Sequence, residues 1–425
     1  MADMETEDVL GTSGKELPAA KFTPVDYIIF SLMVVTSIGI GVISGIRSRS
    51  RATTQEYLLG SRTMSPVPVA FSLLGGAISA ISLLGNPAEM YFFGTQLVMN
   101  LLGFIPGCLF ISQVITPIFY QLKLVSITEY LQVRFESRLL KTLGTLCLLL
   151  FNFIHMGLCL YAPTLSLSIV TGLSTSTSIL ILGFVCTFYI TIGGVKAVVY
   201  TDVLQTLILL IGMLLVVIIC TTDVGGVGSV WSVAERGGRI ILFDFNTSPF
   251  ERHTFFSTAV FGFTLAVMLV GINQSAYQRF ASVRTLQISK KLMIVFMLGF
   301  TMVYLLLYYA GLVAFASYWD CDPLTSGRIK KPDQIIPFLV TNKLSHLTGV
   351  AGVFVAAVYS GVLSSLLMCN RVDKDNQSLI IPCGVAQHLQ ESQQLLLKII
   401  LEQGDSGYLL GRNALSQPHR QAQIL

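Results

Sequence analysis

Long apolar runs, continuous rather than alternating, set the pattern of this chain. A membrane helix needs about 20 apolar residues to cross roughly 30 Å of hydrocarbon. Runs close to that length lie at residues 26–46, 66–93, 97–119, 142–170, 177–192, 200–221, 255–274, 292–317 and 347–368, and they predict nine spans. Their continuity excludes strand barrels. Residues 1–25 are polar and mixed in charge, so the first run is expected to be an uncleaved anchor behind an extracellular segment. Residues 369–425 are polar, rich in glutamine and without a spanning run, and are expected to form a cytoplasmic tail behind a transmembrane domain of 26–368. Within that tail, Leu395 to Leu401 suits a short amphipathic helix on the membrane surface.

Basic residues orient the spans. Arg47, Arg49, Arg51 and Arg62 crowd the short loop after the first run, which places that loop in the cytoplasm and the N-terminus outside. Alternation then puts Lys123, Arg134, Arg138 and Lys141 inside, followed by Lys196, and then Arg279, Arg284, Lys290 and Lys291. The loop of about 318–346, with Arg328, Lys330, Lys331 and Lys343, is the one dissenter. The predicted outer loop of 222–254 carries the sequon Asn246-Thr247-Ser248, a possible glycosylation acceptor followed by Pro249.

Composition agrees with a bilayer as solvent. Hydrophobic residues make up 53% and charged residues only 12%, about half the usual charged share, so lipid must face much of the surface. A net charge of +4 is too small to suggest nucleic acid. Cys108, Cys147, Cys159, Cys186 and Cys220 fall in or at the ends of apolar runs and read as small hydrophobes, with no metal-ligand spacing among the cysteines.

Two spans contain features that a plain anchor does not need. The second, from Phe71 to Pro87, pairs Gly75 with Gly76 at mid-membrane and carries a helix breaker towards its outer end. The seventh is interrupted by Gly262 and Gly271 and ends in Asn273-Gln274, and it starts from the opposite side. Interrupted helices heading two groups of spans that run in opposite directions point to an inverted-repeat transporter with its site near the midplane. The alternative is that these glycines merely allow close helix packing.

Glu56-Tyr-Leu-Leu-Gly60-Ser-Arg62, Leu84-Gly85-Asn86-Pro87-Ala88-Glu89-Met90-Tyr91, Thr128-Glu129-Tyr130-Leu131 through Arg134-Phe135, and above all Gly193-Gly194-Val195-Lys196-Ala197 through Tyr200-Thr201-Asp202-Val203-Leu204-Gln205 with Asn273-Gln274 and Gln278-Arg279 resemble the sodium:solute symporters. Within that family the chain is similar to the branch of monocarboxylate, multivitamin and iodide carriers, over roughly residues 26–366. The resemblance implies an all-α polytopic membrane protein of LeuT-like inverted-repeat architecture, with a leading helix and core helices one to eight. It implies plasma-membrane symport of a small organic anion of monocarboxylate type, driven by co-transported sodium.

Carried over residue by residue, the family's sodium site falls on the carbonyls of Gly75, Ile78 and Gly361 and the hydroxyls of Ser364 and Ser365. Sodium is a hard cation, and an unwound helix facing hydroxyls supplies its oxygen ligands without a carboxylate. The competing reading of the two serines is hydrogen bonding to the carbonyl four residues back. Ser79, Ser82 and Asn152 are the expected solute contacts. Leu269 stands where the sugar carriers of the family hold an aromatic residue, which argues against a stacked sugar. Asp202, beside Thr201 at the inner end of its span, either assists sodium exit or caps the helix start. His155 reads as a proton relay or, more simply, as a histidine bonded to a neighbouring helix.

The resemblance stops after Leu366, so the chain reads as a C-terminally truncated member with core helices nine and ten absent. Sodium-driven uptake of lactate or nicotinate by the chain alone is then expected to be absent or very weak. Alternatives are a non-transporting form that associates with a full-length carrier, and a carrier for a vitamin or inorganic anion. No nucleophile and base pairing or phosphate loop supports an enzyme.

Overall fold

Hydrocarbon cannot hydrogen-bond a backbone, so each apolar run must satisfy its own N–H and C=O groups, and the helix does so within one segment. The computed structural model describes residues 23–48, 62–122, 124, 126–171, 175–248 and 250–369, with side chains in parts of the first, seventh, eighth and last helices outside that description. The regular elements among the described residues are all helical. The N-terminal segment to residue 22 and the tail beyond residue 369 lie outside them.

Helix α1 (Pro24–Ser48) starts with proline in its first turn, where the missing N–H costs nothing. The Thr23 hydroxyl donates to the Asp26 carboxylate at 2.6 Å, and the other carboxylate oxygen accepts the Gly352 amide at 2.8 Å, pinning α1 to the last helix. The second predicted span is two helices, α2 (Pro66–Ala77) and α3 (Ala80–Phe93), bent by 58°. The third runs from Thr95 to Leu122 as a 3-10 turn, α4 (Asn100–Phe110), a π turn (Ile111–Ile115) and α5 (Thr116–Leu122). Then follow α6 (Ile127–Phe135), α7 (Arg138–Thr171), α8 (Thr175–Val224) and α9 (Val227–Arg236).

The seventh span is also broken. Helix α10 (Phe255–Ala266) passes through a π turn (Val267–Gly271) and bends by 63° into α11 (Gln274–Ala281), a half-helix beyond the predicted limit of 274. Helices α12 (Leu286–Ser317), α13 (Ile335–Lys343) and α14 (Val350–Cys369) complete the described chain. The dissenting loop of about 318–346 therefore contains a helix of its own, with Ile335, Ile336, Leu339 and Val340 buried.

Among the described residues, four helices are long and apolar enough to cross a membrane, up to six spans result if each bent pair counts as one, and Pro24–Ile40 and Val350–Gly361 are shorter apolar helices. The predicted fifth and sixth spans differ. They run as the single 50-residue helix α8, of which Val198–Val224 is long and apolar enough to span. Gly193-Gly194 costs a helix only about 1 kcal/mol per glycine, and no proline follows to stop it.

Helix α8 packs against α1, α2 and α14, and α12 packs against α3. The tightest contact joins α4 to α10. A side-chain carbon on Gly103 would fall on the Ala259 carbonyl, and one on Gly262 on the Asn100 carbonyl. Small residues let these backbones meet directly. Phe104 stacks on Phe300 with ring centroids 4.1 Å apart, joining α4 to α12.

Candidate functional site

The first break falls at Ile78 and Ser79, both extended, with φ −94°, ψ 96° and φ −83°, ψ 162°. The paired glycines lie inside the last turn of α2 rather than at the break, and Pro87 sits within α3 without ending it. A helix end leaves its last carbonyls without partners. Among the described residues, the carbonyls of Gly75, Gly76, Ala77 and Ile78 accept no backbone hydrogen bond across the break. Helix α14 closes on this point: a side-chain carbon on Gly361 would lie 3.4 Å from the Ile78 carbonyl oxygen, the Ala80 amide nitrogen and Leu209 Cδ1. Of the five predicted sodium ligands, Ile78 and Gly361 are thus neighbours and Gly75 is one turn away in α2. The side chains of Ser364 and Ser365 lie outside the described residues.

Beyond the break, Ser79 caps α3 by accepting from the Ser82 amide at 3.3 Å, and the two hydroxyls are 3.3 Å apart. The buried Tyr304 of α12 donates to the Ser82 hydroxyl at 3.2 Å, a partner that sequence reasoning missed. Asn152 is half-buried on α7, which packs against α3, and no hydrogen bond links it to Ser79 or Ser82.

The second break has its own caps. Asn273 accepts from the amides of Ser275 and Ala276 at 3.0 and 3.2 Å and starts α11, while Gln274 accepts from the Ile127 amide at 2.8 Å and holds the start of α6. Arg279 of α11 then reaches Asp202 of α8 at 2.7 Å, with side chains 3% and 0% exposed. The Ser72 hydroxyl of α2 donates to the same carboxylate and accepts from Arg279 Nε, and Arg279 also donates to the Ser275 hydroxyl at 2.6 Å. Both broken helices are tied to α8 by this one cluster.

Two expectations are corrected here. Asp202 lies far inside α8 and caps no helix start, because the helix runs unbroken from Thr175. Among the described residues, His155 meets Cys159, at 3.5 Å, and the stacked ring of Phe151, both on its own helix rather than a neighbouring one. Gln205, one turn from Asp202 and one from Leu209, was given no role by sequence reasoning. It is 1% exposed, and neither its amide oxygen nor its nitrogen has a partner among the described residues. A buried unpartnered amide on α8 is a polar group in want of an ion, a water or a solute.

The half-helix α3 is clasped by the chain that leads into α10. Glu89 accepts from Arg252 at 2.7 and 3.0 Å and meets His253 at 2.7 Å, while Arg252 lies 3.8 Å from the Phe93 ring centroid. Tyr91 donates to Asp322 at 2.8 Å. Gly94, at φ +87°, lets the chain turn close against the Arg239 carbonyl, which accepts the Thr95 amide at 2.9 Å. In the same loop Asn246 is exposed, and its side chain accepts from the Ser248 amide at 3.0 Å.

Two broken helices tied to one long helix by a buried cluster fit an inverted-repeat membrane transporter fold. The family model described as the sodium:solute symporter family matches residues 57–370. The chain belongs to that family, whose members are transporters rather than enzymes. It is 38% identical over 345 residues to sodium-coupled monocarboxylate transporter 2 of Bos taurus, covering 81% of this chain and 56% of that protein. It is 37% identical over 340 residues to the sodium/iodide cotransporter of Homo sapiens, covering 80% and 53%. A solved structure of a sodium-coupled sialic acid symporter, substrate-bound and outward-open, shares its fold with a TM-score of 0.75 at 19% identity, over 82% of this chain and 72% of that one. The chain spans about half the length of the curated relatives it matches.

Proposed function

We propose that this chain forms the ion-binding part of a plasma-membrane carrier that couples sodium to the uptake of a small organic anion of monocarboxylate type. The observation that carries this reading is the close approach of α14, at Gly361, to the freed Ile78 carbonyl at the first helix break. Sodium is held by the carbonyls of Gly75, Ile78 and Gly361 and by Ser364 and Ser365, a set of hard oxygen donors that suits this ion. The solute lies beside the breaks, near Ser79, Ser82 and Asn152, where the N-terminus of α3 favours negative charge. Asp202 serves the sodium exit path once its pairing with Arg279 loosens. Relatives named for monocarboxylates and for iodide support an anionic solute.

The experiment is uptake of labelled lactate and nicotinate in cells lacking other carriers, with and without external sodium. It compares this chain, the chain extended by the relatives' remaining length, and the chain co-expressed with a full-length relative. Sodium-dependent uptake by the extended version is the expected result. Replacing Ser364 and Ser365 together by alanine should raise the sodium concentration for half-activation about tenfold or more, the loss of about 1.4 kcal/mol of ion binding. Uptake indifferent to sodium would remove the symport reading, and failure of every organic anion tried would remove the monocarboxylate one.

Orientation has a separate test. With the 222–254 loop outside, Asn246 in its exposed turn is expected to carry N-linked glycan, so Asn246→Gln should abolish a glycosidase-sensitive gel shift. A shift that survives the substitution would place the glycan elsewhere.

A further inference from the structure

Hydroxyl groups both give and accept hydrogen bonds, so the direction of their hydrogens decides whether a polar site suits an anion. At the first helix break that direction is set by a side chain from another helix. The phenol of Tyr304, buried on α12, donates to the Ser82 hydroxyl at 3.2 Å. Its ring stacks on Phe300 with centroids 4.0 Å apart and meets Tyr308 edge-on at 5.8 Å, while the Tyr308 hydroxyl accepts from Asn100 at 2.7 Å. Packed on these sides, the phenol has little room to swing. Asn86, one turn beyond Ser82, lies beside the same phenol.

A serine hydroxyl has one hydrogen to give and lone pairs that accept. Tyr304 occupies an acceptor position on Ser82, and the Ser82 amide occupies one on Ser79 at 3.3 Å. The two serine hydroxyls are 3.3 Å apart, so at most one of their two hydrogens lies between them. The other is left for an acceptor outside the pair. An ionised oxygen rewards it most, since hydrogen bonds to a charged partner are about twice as strong as neutral ones.

This face of α3 is open to such an acceptor. Ser82 and Gly85 are half-buried, Ile81 is exposed, and nothing lies within 4 Å of where a side-chain carbon on Gly85 would stand. The N-terminus of α3 adds its partial positive charge. Glu89, two turns on, does not oppose an anion at Ser82, because Arg252 matches its charge at 2.7 Å.

We propose that Tyr304 is a positioning residue for the solute: by donating to Ser82 it makes the serine pair present a hydrogen outward, which selects a carboxylate over a neutral solute of the same shape. This role rests on the transport reading and names the group that gives its site a preference for an anion.

The test is binding to the purified full chain in sodium, read by calorimetric titration with two matched pairs of probes, nicotinate against nicotinamide and lactate against lactamide. The unaltered chain should hold each carboxylate about tenfold more tightly than its amide. Tyr304→Phe keeps the stacked ring and removes only the hydroxyl. It should weaken the carboxylates about threefold to tenfold, the net worth of one hydrogen bond, and the amides by no more than about twofold. The sodium concentration for half-maximal binding should not move. Ser82→Ala should cost at least as much, and Tyr304→Phe added to it should cost nothing further. Equal losses for carboxylates and amides, a further loss in the double variant, or failure of Tyr304→Phe to fold would each assign the phenol to the fold and overturn the proposal. Carboxylate binding that Tyr304→Phe leaves unchanged would overturn it while the transport reading survives. Absence of sodium-dependent binding by the unaltered chain would overturn it too, and uptake by the extended version would then decide the transport reading by itself.

Discussion

Gly262→Ala is expected to disrupt the bundle more than any other single methyl group added to a described glycine except its partner, Gly103→Ala. The atoms in the way are backbone carbonyls, of Asn100 for Gly262 and of Ala259 for Gly103, and no rotamer change can move them. Helices α4 and α10 must then separate, and the stacked Phe104 and Phe300 behind α4 must follow. Overpacking a well-filled interior costs about 1–3 kcal/mol and occasionally more, and a backbone obstacle belongs at the upper end. Gly85→Ala is the control, because nothing lies within 4 Å of a side-chain carbon there and the residue is inside helix α3. There alanine should be neutral or stabilising by about 0.5–1 kcal/mol. Melting of the purified chains in detergent measures both. Equal stability of the Gly262 variant and the unaltered chain would mean that α4 and α10 are not in backbone contact.

Breaking the Asp202–Arg279 pair should be comparably damaging, and the damage should be asymmetric between single and double variants. Each side chain is almost fully buried, at 0% and 3% exposure, and removal of either leaves an uncompensated charge. Single losses of this kind cost about 3–5 kcal/mol, whereas replacing both partners by apolar residues of similar volume is often near neutral. Asp202→Leu and Arg279→Met are each expected to lower the yield of folded chain sharply, and the double variant should recover much of it. Ser72, bonded to both partners, would still bridge little in the double variant, so recovery should be incomplete. A double variant as unstable as the sum of the singles would show that the two groups act independently, against the geometry.

The same cluster explains why some of the fold was legible and some was not. The apolar runs could be read because hydrocarbon imposes a rule on each segment by itself: the backbone must be satisfied locally. Helix α11 escaped that rule. Its sequence, Gln274 to Ala281, is polar, and its residues from Ser275 onward are buried only because Arg279 finds Asp202 and Ser72 across two other helices. The capping role read for Asp202 failed for the related reason that a helix start is set by where the preceding turn stops, and α8 does not stop before it. Among the described residues the partner of His155 is on its own helix, since Cys159 one turn on meets the ring.

The sequence by itself determined the class of solvent, the helical nature of the chain, and the presence of two interrupted spans, since each follows from local composition and from residues that weaken a helix wherever they stand. It also carried the motifs that match the family, from residue 57 to residue 370. Only the tertiary structure decided where the first helix opens. The break lies at Ile78 and Ser79, beyond the glycines, where the Ser79 hydroxyl can cap α3 and α14 passes close to the Ile78 carbonyl at Gly361. Gln205 and Tyr304 likewise gain their meaning from partners, or the lack of them, on other helices. A hydrogen bond between residues more than 200 positions apart, such as that of Tyr304 to Ser82, leaves no periodic trace in the chain, because packing rather than local propensity brings its ends together.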